Sequence, residues 1–378
     1  CSSDLGVVVS RGAWISGQRS IEEEIVGALE GEGLNPILLM TNSLHDKETG
    51  SMNISECIEE HFVRDGEPVV SAILKLVTFM SGKVRGDSDG VSASKSTSLF
   101  TRLNVPVFQP IVSFTMGRGE WEESNGITSD LSWSVALPEF EGAVEPVMLG
   151  TTMGTDAEYD RTPIPGRAGR VAARIKGWIS MASKAPNERK IAIVLNNNPC
   201  ESSEANVGSA SGLDALESVA GLLADLRGNG YSVDAPADGK ALAKAFLERK
   251  ALSEFRWTTK EEILANGGVA HRMPADQYAG FFESIPEKAR SGMMDTWGEP
   301  PGEAMVVDGD ILIPGLSYGN AFVAVQPKRG CFGARCDGSV CKILHDPECP
   351  PTHQYVAFYH YIRNVFGADA ILHMGTHG

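Results

Sequence analysis

The sequence has no concentrated positive charge. Its 33 lysine and arginine residues are outnumbered by 49 aspartate and glutamate residues, which gives a formal net charge of −16. A groove that binds nucleic acid needs clustered basic side chains to neutralise the phosphates, and the sequence contains no such cluster. The composition therefore argues against a nucleic-acid partner and indicates a well-solvated acidic surface.

Long apolar runs and a disulfide pattern are also missing. No stretch approaches the roughly 20 apolar residues that a membrane helix needs, so we expect no membrane span. The first residues, CSSDLGVVVS, place no basic region before their apolar run, which is atypical of a secretory signal peptide. The seven cysteines are few for 378 residues and are mostly clustered, which is atypical of a disulfide scaffold. These absences predict a cytoplasmic location.

Nucleotide-binding motifs are absent as well. The polar loop 196–212, NNNPCESSEANVGSASG, lacks the Gly-Lys-Ser/Thr ending of a Walker A loop, and no strand leads into GRGEWEESNG as a dinucleotide fingerprint requires. The chain itself therefore shows no ATP site. The loop has two interpretations: Asn206 and Gly208 present amides to an anion at a helix start, or the loop only caps that helix.

What the sequence does contain is an alternation of short apolar segments with helical periodicity. We predict helices around 21–29, 216–226 and 355–365, and strands at 5–9, 35–40, 72–77, 106–112, 190–195, 231–236, 310–314, 320–327 and 370–374. Such alternation is typical of parallel sheets with helices on both faces. We therefore expect an α/β protein of several Rossmann-like domains, with boundaries at 1–169, 170–270 and 271–378.

The segment ILHMGTHG, residues 371–378, carries the densest chemistry. His373 and His377 lie four residues apart, and Gly375 and Gly378 permit a tight turn close to a ligand. Ligands of open parallel sheets bind outside the carboxyl ends of the strands. The two imidazoles are therefore candidate bases or metal ligands. The alternative is one strand-end histidine bonded to backbone and one exposed in the turn.

Cysteines cluster just before this segment. The four thiols are Cys331, Cys336, Cys341 and Cys349, with His345 between them. Thiolates this close suit zinc or an iron–sulfur cluster, but the C-x-x-C knuckle is missing and ordinary buried thiols are the alternative. His353 follows near a predicted helix start, either as a cleft base or ligand or as a helix-cap residue.

Several stretches together resemble the large subunit of the class I tetrapyrrole metal chelatases, which includes cobaltochelatase subunit CobN and the porphyrin-binding subunit of magnesium chelatase. They are WEESNGI with VALPEFEG (121–142), NNNPCESSEANVGSASGLDALES (196–218), WGEPPG (297–302), GNAFVAVQPKRG (319–330) and HDPECPPTHQYVAFYHYIRNVFGADAILHMGTHG (345–378). The last stretch is the most specific, and its HDP…PPTHQY part is more similar to the cobalt type. Family members are longer and carry H-x-G-x-H-G internally, so the resemblance implies a segment cut within the catalytic region, inactive alone. A natural short homologue is the alternative.

The resemblance implies insertion of Co²⁺, as the substrate metal, into hydrogenobyrinic acid a,c-diamide in cobalamin biosynthesis. It also implies partner AAA+ subunits that bind ATP and Mg²⁺. His373 and His377 become the catalytic groups and transient cobalt ligands. Motif matching places seven residues around the substrate: Asn206, Gly208, Asn320, Gln326, His353, Gly375 and Gly378. The alternatives are a magnesium-type porphyrin-binding subunit and a non-catalytic tetrapyrrole carrier or sensor. The cysteine cluster departs from the family pattern and keeps a zinc or iron–sulfur site as a further hypothesis.

Overall fold

The structure is a computed structural model that describes residues 4–41, 50, 52–77, 86–87, 90–91, 95–124, 126–155, 158–197, 207–254, 258–329 and 348–375. The chain divides into two compact units, Cys1–Ser183 and Lys184–Gly378. Within the described ranges, no helix combines the length and apolar character needed to cross a membrane.

The first unit contains twelve strands and seven α-helices among its described residues. The strands are β1 (Asp4–Ser10), β2 (Asn35–Thr41), β3 (Val63–Arg64), β4 (Glu67–Pro68), β5 (Ala72–Lys75), β6 (Gly86–Asp87), β7 (Gly90–Val91), β8 (Val107–Phe108), β9 (Ile111–Ser113), β10 (Ala143–Val144), β11 (Met148–Thr155) and β12 (Glu158–Pro163). The helices are α1 (Arg11–Ile15), α2 (Ser20–Gly31), α3 (Ile54–Phe62), α4 (Lys95–Leu103), α5 (Arg118–Glu123), α6 (Leu137–Phe140), which follows a π-helical turn at Ser132–Ala136, and α7 (Arg167–Ser183).

A five-stranded parallel sheet forms the centre of this unit, in the order β10-β8-β5-β1-β2. The apolar run of β1 is buried on both faces because helices cover both. Val7 packs in one core with α2 and α7, whereas its neighbour Val8 packs in the other core with α3 and α4. The sequence thus forms the predicted doubly covered parallel sheet. A second, mixed sheet joins β12, β11 and β9.

Two ion pairs are buried in the first unit. Lys75, at the end of β5, and Glu141, just after α6, are both completely inaccessible, with Nζ 2.9 Å from Oε2. Arg161 of β12 donates from Nη1 to both carboxylate oxygens of Glu22 in α2, at 2.6 and 2.8 Å. Burial lowers the pKa of Lys75, and the Glu141 charge acts in the opposite direction. Each pair joins segments that are distant in the sequence.

The second unit has seven strands and six α-helices among its described residues. The strands are β13 (Ile191–Leu195), β14 (Val269–Met273), β15 (Val306–Val307), β16 (Asp310–Pro314), β17 (Leu316–Tyr318), β18 (Ala321–Val325) and β19 (Ala370–Met374). The helices are α8 (Ala215–Gly228), α9 (Gly239–Arg249), α10 (Lys260–Ala265), α11 (Ala275–Phe282), α12 (Glu287–Trp297) and α13 (His353–His360). A 3₁₀ turn at Pro186–Glu188 precedes β13, and a π-helical turn at Tyr361–Phe366 continues α13.

The main sheet of the second unit has the order β17-β18-β13-β19, in which the last three strands are parallel. Side chains alternate across β13: Ile193 packs in the core of α8 and α9, and Val194 packs in the core of α11 and α13. Helices therefore cover both faces, and the α/β class predicted from the sequence is confirmed. A small antiparallel sheet joins β14, β16 and β15.

The structure differs from the sequence-based outline in four places. The strand expected at 106–112 is divided into β8 and β9, which lie in different sheets. The expected boundary after residue 169 falls inside α7, whose apolar side chains belong to the core of the first unit. The boundary expected after residue 270 falls inside β14, and β13 shares one sheet with β18 and β19. Residues 231–236 form no strand; their backbone instead bonds the β17–β18 turn, where Asp234 N donates to Tyr318 O and Asn320 N donates to Ser232 O.

Candidate functional site

The carboxyl edge of the parallel sheet in the second unit gathers polar residues. β18, β13 and β19 end at Val325, Leu195 and Met374. Backbone hydrogen bonds hold these ends level, because Gln326 N donates to Leu195 O at 2.9 Å and Asn196 N donates to Met374 O at 3.1 Å. Residues that follow the three strands therefore share one edge, which is where ligands of open α/β sheets bind.

His373 lies at this edge, one residue before the end of β19 and opposite Val194 in the register. Its side chain is exposed. The chain reverses direction between α13 and β19 at Gly367, whose φ of 72° suits glycine. This reversal brings the Tyr359 ring beside the imidazole, with ring centroids 5.9 Å apart and planes inclined by 27°. The Tyr359 hydroxyl lies 3.5 Å from Nε2 of His373, which is long for a hydrogen bond.

Gln326 connects the strand end to helix α13. Its Nε2 donates to the hydroxyl oxygens of Tyr355, at 3.0 Å, and Tyr359, at 2.7 Å. Its backbone oxygen accepts from Nδ2 of Asn197 at 2.9 Å. Burial raises the pKa of Tyr359, an effect that the Gln326 hydrogen bond only partly offsets. The phenol therefore stays protonated at neutral pH and acts as a neutral hydrogen-bonding group.

Two of the predicted glycines belong to the same edge. Gly375 follows β19 directly. Gly208 has a φ of 66°, and a Cβ atom on it would lie 3.1 Å from Cδ2 of Leu195, the last residue of β13. The turn that carries Gly208 thus packs directly against the strand end. The structure therefore brings Gln326, His373, Gly208 and Gly375 to one region of the second unit.

Asn320 lies elsewhere. It precedes β18, so it stands at the amino end of the strand whose carboxyl end leads to Gln326. Its Nδ2 donates to Asn187 O at 3.0 Å. Its contacts are those of a turn residue that ties two loops together, away from the edge that carries His373.

His353 is a buried residue at the start of α13, and only 2% of it is exposed. Nδ1 lies 2.9 Å from the Tyr278 hydroxyl, and Nε2 lies 2.8 Å from Gly298 O. The carbonyl can only accept, so Nε2 carries the proton and Nδ1 accepts from the phenol. Burial lowers the pKa of His353 more than Gly298 and Glu299 raise it. Both ring nitrogens are thus engaged inside the core, while the cap of the helix is the neighbouring Thr352.

Several predicted residues lie outside the described residues: Asn206, Cys331, Cys336, Cys341, His345, His377 and Gly378. Cys349 is described and is buried, with its Sγ 3.8 Å from Pro350 O. No group of three or more histidine, cysteine, aspartate or glutamate side chains is arranged to hold a metal ion in the part of the chain that the structure describes.

Sequence reasoning did not assign a site role to Tyr355, Tyr359 or Asn197. The periodicity around the two tyrosines predicts only a helix at 355–365. Their spacing of four residues places both rings on one side of α13. The sequence does carry a signal for this part of the site: two phenols lie on one helix face, and the strand that follows carries a histidine.

The edge offers a definite set of chemical groups. An exposed imidazole can accept a proton or bind a divalent ion. Beside it, the Tyr355 hydroxyl and the Asn197 amide can donate hydrogen bonds to carbonyl or carboxylate oxygens of a ligand. Both hydrogens of Gln326 Nε2 are already donated to Tyr355 and Tyr359. The arrangement suits proton transfer and polar ligand binding.

Comparisons with known proteins agree on one family. The sequence profile of the family described as CobN/Magnesium Chelatase matches residues 2–378. A protein of Methanocaldococcus jannaschii, described as uncharacterized, is 38% identical over 384 residues, which cover 99% of this chain and 31% of that protein. Aerobic cobaltochelatase subunit CobN of a Sinorhizobium species is 28% identical over 386 residues, which cover 99% of this chain and 28% of that protein.

A solved structure gives the same result. The catalytic subunit of cobaltochelatase from Mycobacterium tuberculosis matches with a TM-score of 0.77 and 25% identity, over 100% of this chain and 30% of that one. The chain thus spans about three-tenths of the length of these relatives.

Proposed function

Because the chain belongs to the CobN/magnesium chelatase family, we propose that it is a tetrapyrrole- and metal-binding segment of the large subunit of an ATP-dependent cobaltochelatase. The substrate metal is Co²⁺ and the acceptor is hydrogenobyrinic acid a,c-diamide, in cobalamin biosynthesis. ATP and Mg²⁺ bind to partner AAA+ subunits. The observation that carries the proposal is the family match along nearly the whole chain, which includes the exposed His373 at the carboxyl edge of a parallel sheet.

Metal insertion defines what the residues must do. The inner N–H proton of a corrin, or the two of a porphyrin, must leave the ring as the metal enters, so a base is required. We assign that role, and the transient binding of Co²⁺, to His373 and His377. Imidazole suits cobalt as a ligand, and hand-over requires weak, open coordination. The exposure of His373 leaves it accessible to a large planar ring.

Substrate contacts are assigned by position. Gln326, Gly208 and Gly375 lie at the same edge as His373 and are proposed to contact the macrocycle or its amide and carboxylate side groups. Asn206 and Gly378, outside the described residues, keep the same role by motif match alone. Asn320 and His353 receive no such role, because they lie at the opposite strand end and in the core.

The test replaces histidines in the full-length subunit assayed with its ATPase partners. His373→Ala and His377→Ala should each slow cobalt insertion by about 100-fold or more, the usual effect of losing an acid–base group. Absorbance titration with the metal-free ring should show unchanged binding. His61→Ala is the matched control, since His61 is exposed on α3 of the first unit. Insertion by His373→Ala at the rate of His61→Ala would reject the assignment.

Two alternatives have distinct outcomes in the same assay. A magnesium-type subunit, which the family description includes, would insert Mg²⁺ into a metal-free porphyrin and leave the corrinoid unmetallated. A carrier or sensor would change the absorbance spectrum of the ring but give no metallated product when partners, ATP and metal are added.

The cysteine cluster is a separate proposal. If Cys331, Cys336, Cys341 and Cys349 hold zinc or an iron–sulfur cluster, the purified protein should contain about one metal site per chain by elemental analysis. If zinc and iron are both present only in trace amounts, the proposal is refuted.

A further inference from the structure

The order of the parallel strands in the second unit reverses at β13. This strand comes first in the chain but lies in the middle, with β18 on one side and β19 on the other. The helices that follow it, α8 and α9, pack on the face of Ile193, whereas α13, which precedes β19, packs on the face of Val194. In open sheets of this order, 2-1-3, the ligand lies at the switch point between strands 1 and 3. The binding crevice of this unit is therefore located between the ends of β13 and β19.

Asn197 stands at this crevice. It is the second residue after β13, three positions beyond Val194, which pairs with His373 in β19. The residue is half-buried, and its Nδ2 donates to Gln326 O at 2.9 Å. Because a backbone carbonyl can only accept, this bond decides which end of the amide is the nitrogen. The end of β18 thus holds the amide in one orientation and leaves Oδ1 for another partner.

The amide of Asn197 has hydrogen-bonding capacity left over. Nδ2 carries two hydrogens, of which the bond to Gln326 uses one, and Oδ1 has two lone pairs. No donor reaches Oδ1 from the residues that the structure describes. A carboxylate has no hydrogen to give to this oxygen, whereas a primary carboxamide both donates and accepts. The remaining groups of Asn197 therefore match a carboxamide better than a carboxylate.

We propose that Asn197 is a specificity-determining residue that binds a carboxamide side group of the macrocycle in the crevice between β13 and β19. The inference rests on the proposed function, in which this edge binds a tetrapyrrole that carries amide and carboxylate side groups. Oδ1 accepts from the carboxamide nitrogen, and the second Nδ2 hydrogen is donated to the carboxamide oxygen. The bond to Gln326 holds the Asn197 amide against rotation, so the acceptor is in place before the ring binds.

The test compares two rings on the full-length subunit, without ATP, metal or partner subunits. One is metal-free hydrogenobyrinic acid a,c-diamide, and the other is the parent ring that carries carboxylates in place of these two carboxamides. Absorbance titration gives the Kd of each. Asn197→Ala should raise the Kd of the diamide by about five- to tenfold, as expected for the loss of neutral hydrogen bonds. It should change the Kd of the carboxylate ring by less than about twofold.

Asn320→Ala is the matched control. The Nδ2 of Asn320 also donates to a backbone carbonyl, Asn187 O at 3.0 Å, but at the opposite end of the strands. This variant should leave both Kd values unchanged. The proposal is overturned if Asn197→Ala binds the diamide as tightly as the wild type, weakens both rings equally, or has the same effect as Asn320→Ala. Should Asn197→Ala not fold, Asn197→Ser gives the same comparison, because a single hydroxyl cannot pair with both ends of a carboxamide.

The proposed function and the role of Asn197 fail in different ways. Loss of cobalt insertion in His373→Ala, combined with unchanged diamide binding in Asn197→Ala, would reject only the role of Asn197. Normal insertion by His373→Ala, combined with weaker diamide binding in Asn197→Ala, would reject only the catalytic assignment. A wild-type subunit that binds neither ring would reject both.

Discussion

The buried pair of Lys75 and Glu141 gives the sharpest stability prediction. Both side chains are completely inaccessible, and a single contact of 2.9 Å joins them. In Glu141→Gln the amide keeps the shape of the carboxylate but not its charge. Lys75 must then stay charged without its counter-ion or lose its proton, and burial already lowers its pKa. Breaking a buried pair from one side costs about 3–5 kcal/mol, because the unpaired charge stays buried.

That cost should be visible in thermal unfolding of the first unit. A unit of this size loses about 2–4 °C of Tm for each kcal/mol, so the expected decrease is roughly 6–20 °C. Glu139→Gln is the matched control, since Glu139 is exposed on the adjacent helix. The double variant Lys75→Met/Glu141→Leu should recover most of the loss, because it leaves no unpaired charge. A decrease of less than about 1 kcal/mol in Glu141→Gln, or a double variant as unstable as the single one, would refute the reasoning.

Two further predictions concern the second unit. Gly302→Ala should lower the free energy of unfolding in urea by about 1–3 kcal/mol, because Gly302 has a φ of 71° and the added Cβ would lie 2.8 Å from Cδ2 of His353. Gly309→Ala is the control and should cost less, since Gly309 has a φ of 87° but open space around it. Equal losses in the two variants would contradict a clash with His353. Burial lowers the pKa of His353 in the folded chain. As the pH falls, His353 therefore binds a proton at a higher pH in the unfolded chain than in the folded one. The contribution of His353 to the free energy of unfolding should therefore be fully present above about pH 6.5. Below that pH it should decrease by up to about 1.4 kcal/mol per pH unit. His353→Gln should flatten the dependence of the urea midpoint on pH between 8 and 5, and an unchanged slope would exclude His353 as its source.

The sequence predicts the sheet strands well where burial decides the pattern. Continuous apolar runs at 5–9 and 191–195 are buried on both faces, as is typical of a doubly covered parallel strand. The alternating run at 231–236 fails because its backbone groups find partners in the β17–β18 turn instead of a neighbouring strand. Local pattern carries no information about which distant backbone supplies a hydrogen bond.

The site was predictable in part for the same reason. His373 follows from an apolar strand that ends in a glycine-rich turn, and the structure places it at the expected edge. His353 and Asn320 come from equally conspicuous motifs, but their positions depend on tertiary packing against Tyr278 and Asn187. The phenols of Tyr355 and Tyr359 reach the site through Gln326, which follows β18 and donates to both hydroxyl oxygens, and the local helix pattern does not indicate this tertiary contact.

The pairing of β13 with β19 has a consequence for biosynthesis. Ile191 lies opposite Ala370, so the two strands join residues that are 370 − 191 = 179 positions apart. The first unit ends at Ser183, so its residues leave the ribosome before those of the second unit, and domains generally fold as units during synthesis. The sheet of the second unit must wait until Met374 has left the ribosome, and until then β13 has an unpaired side. Such long-range closure slows folding, so the free side of β13 stays unpaired for longer than that of a strand closed by a local hairpin.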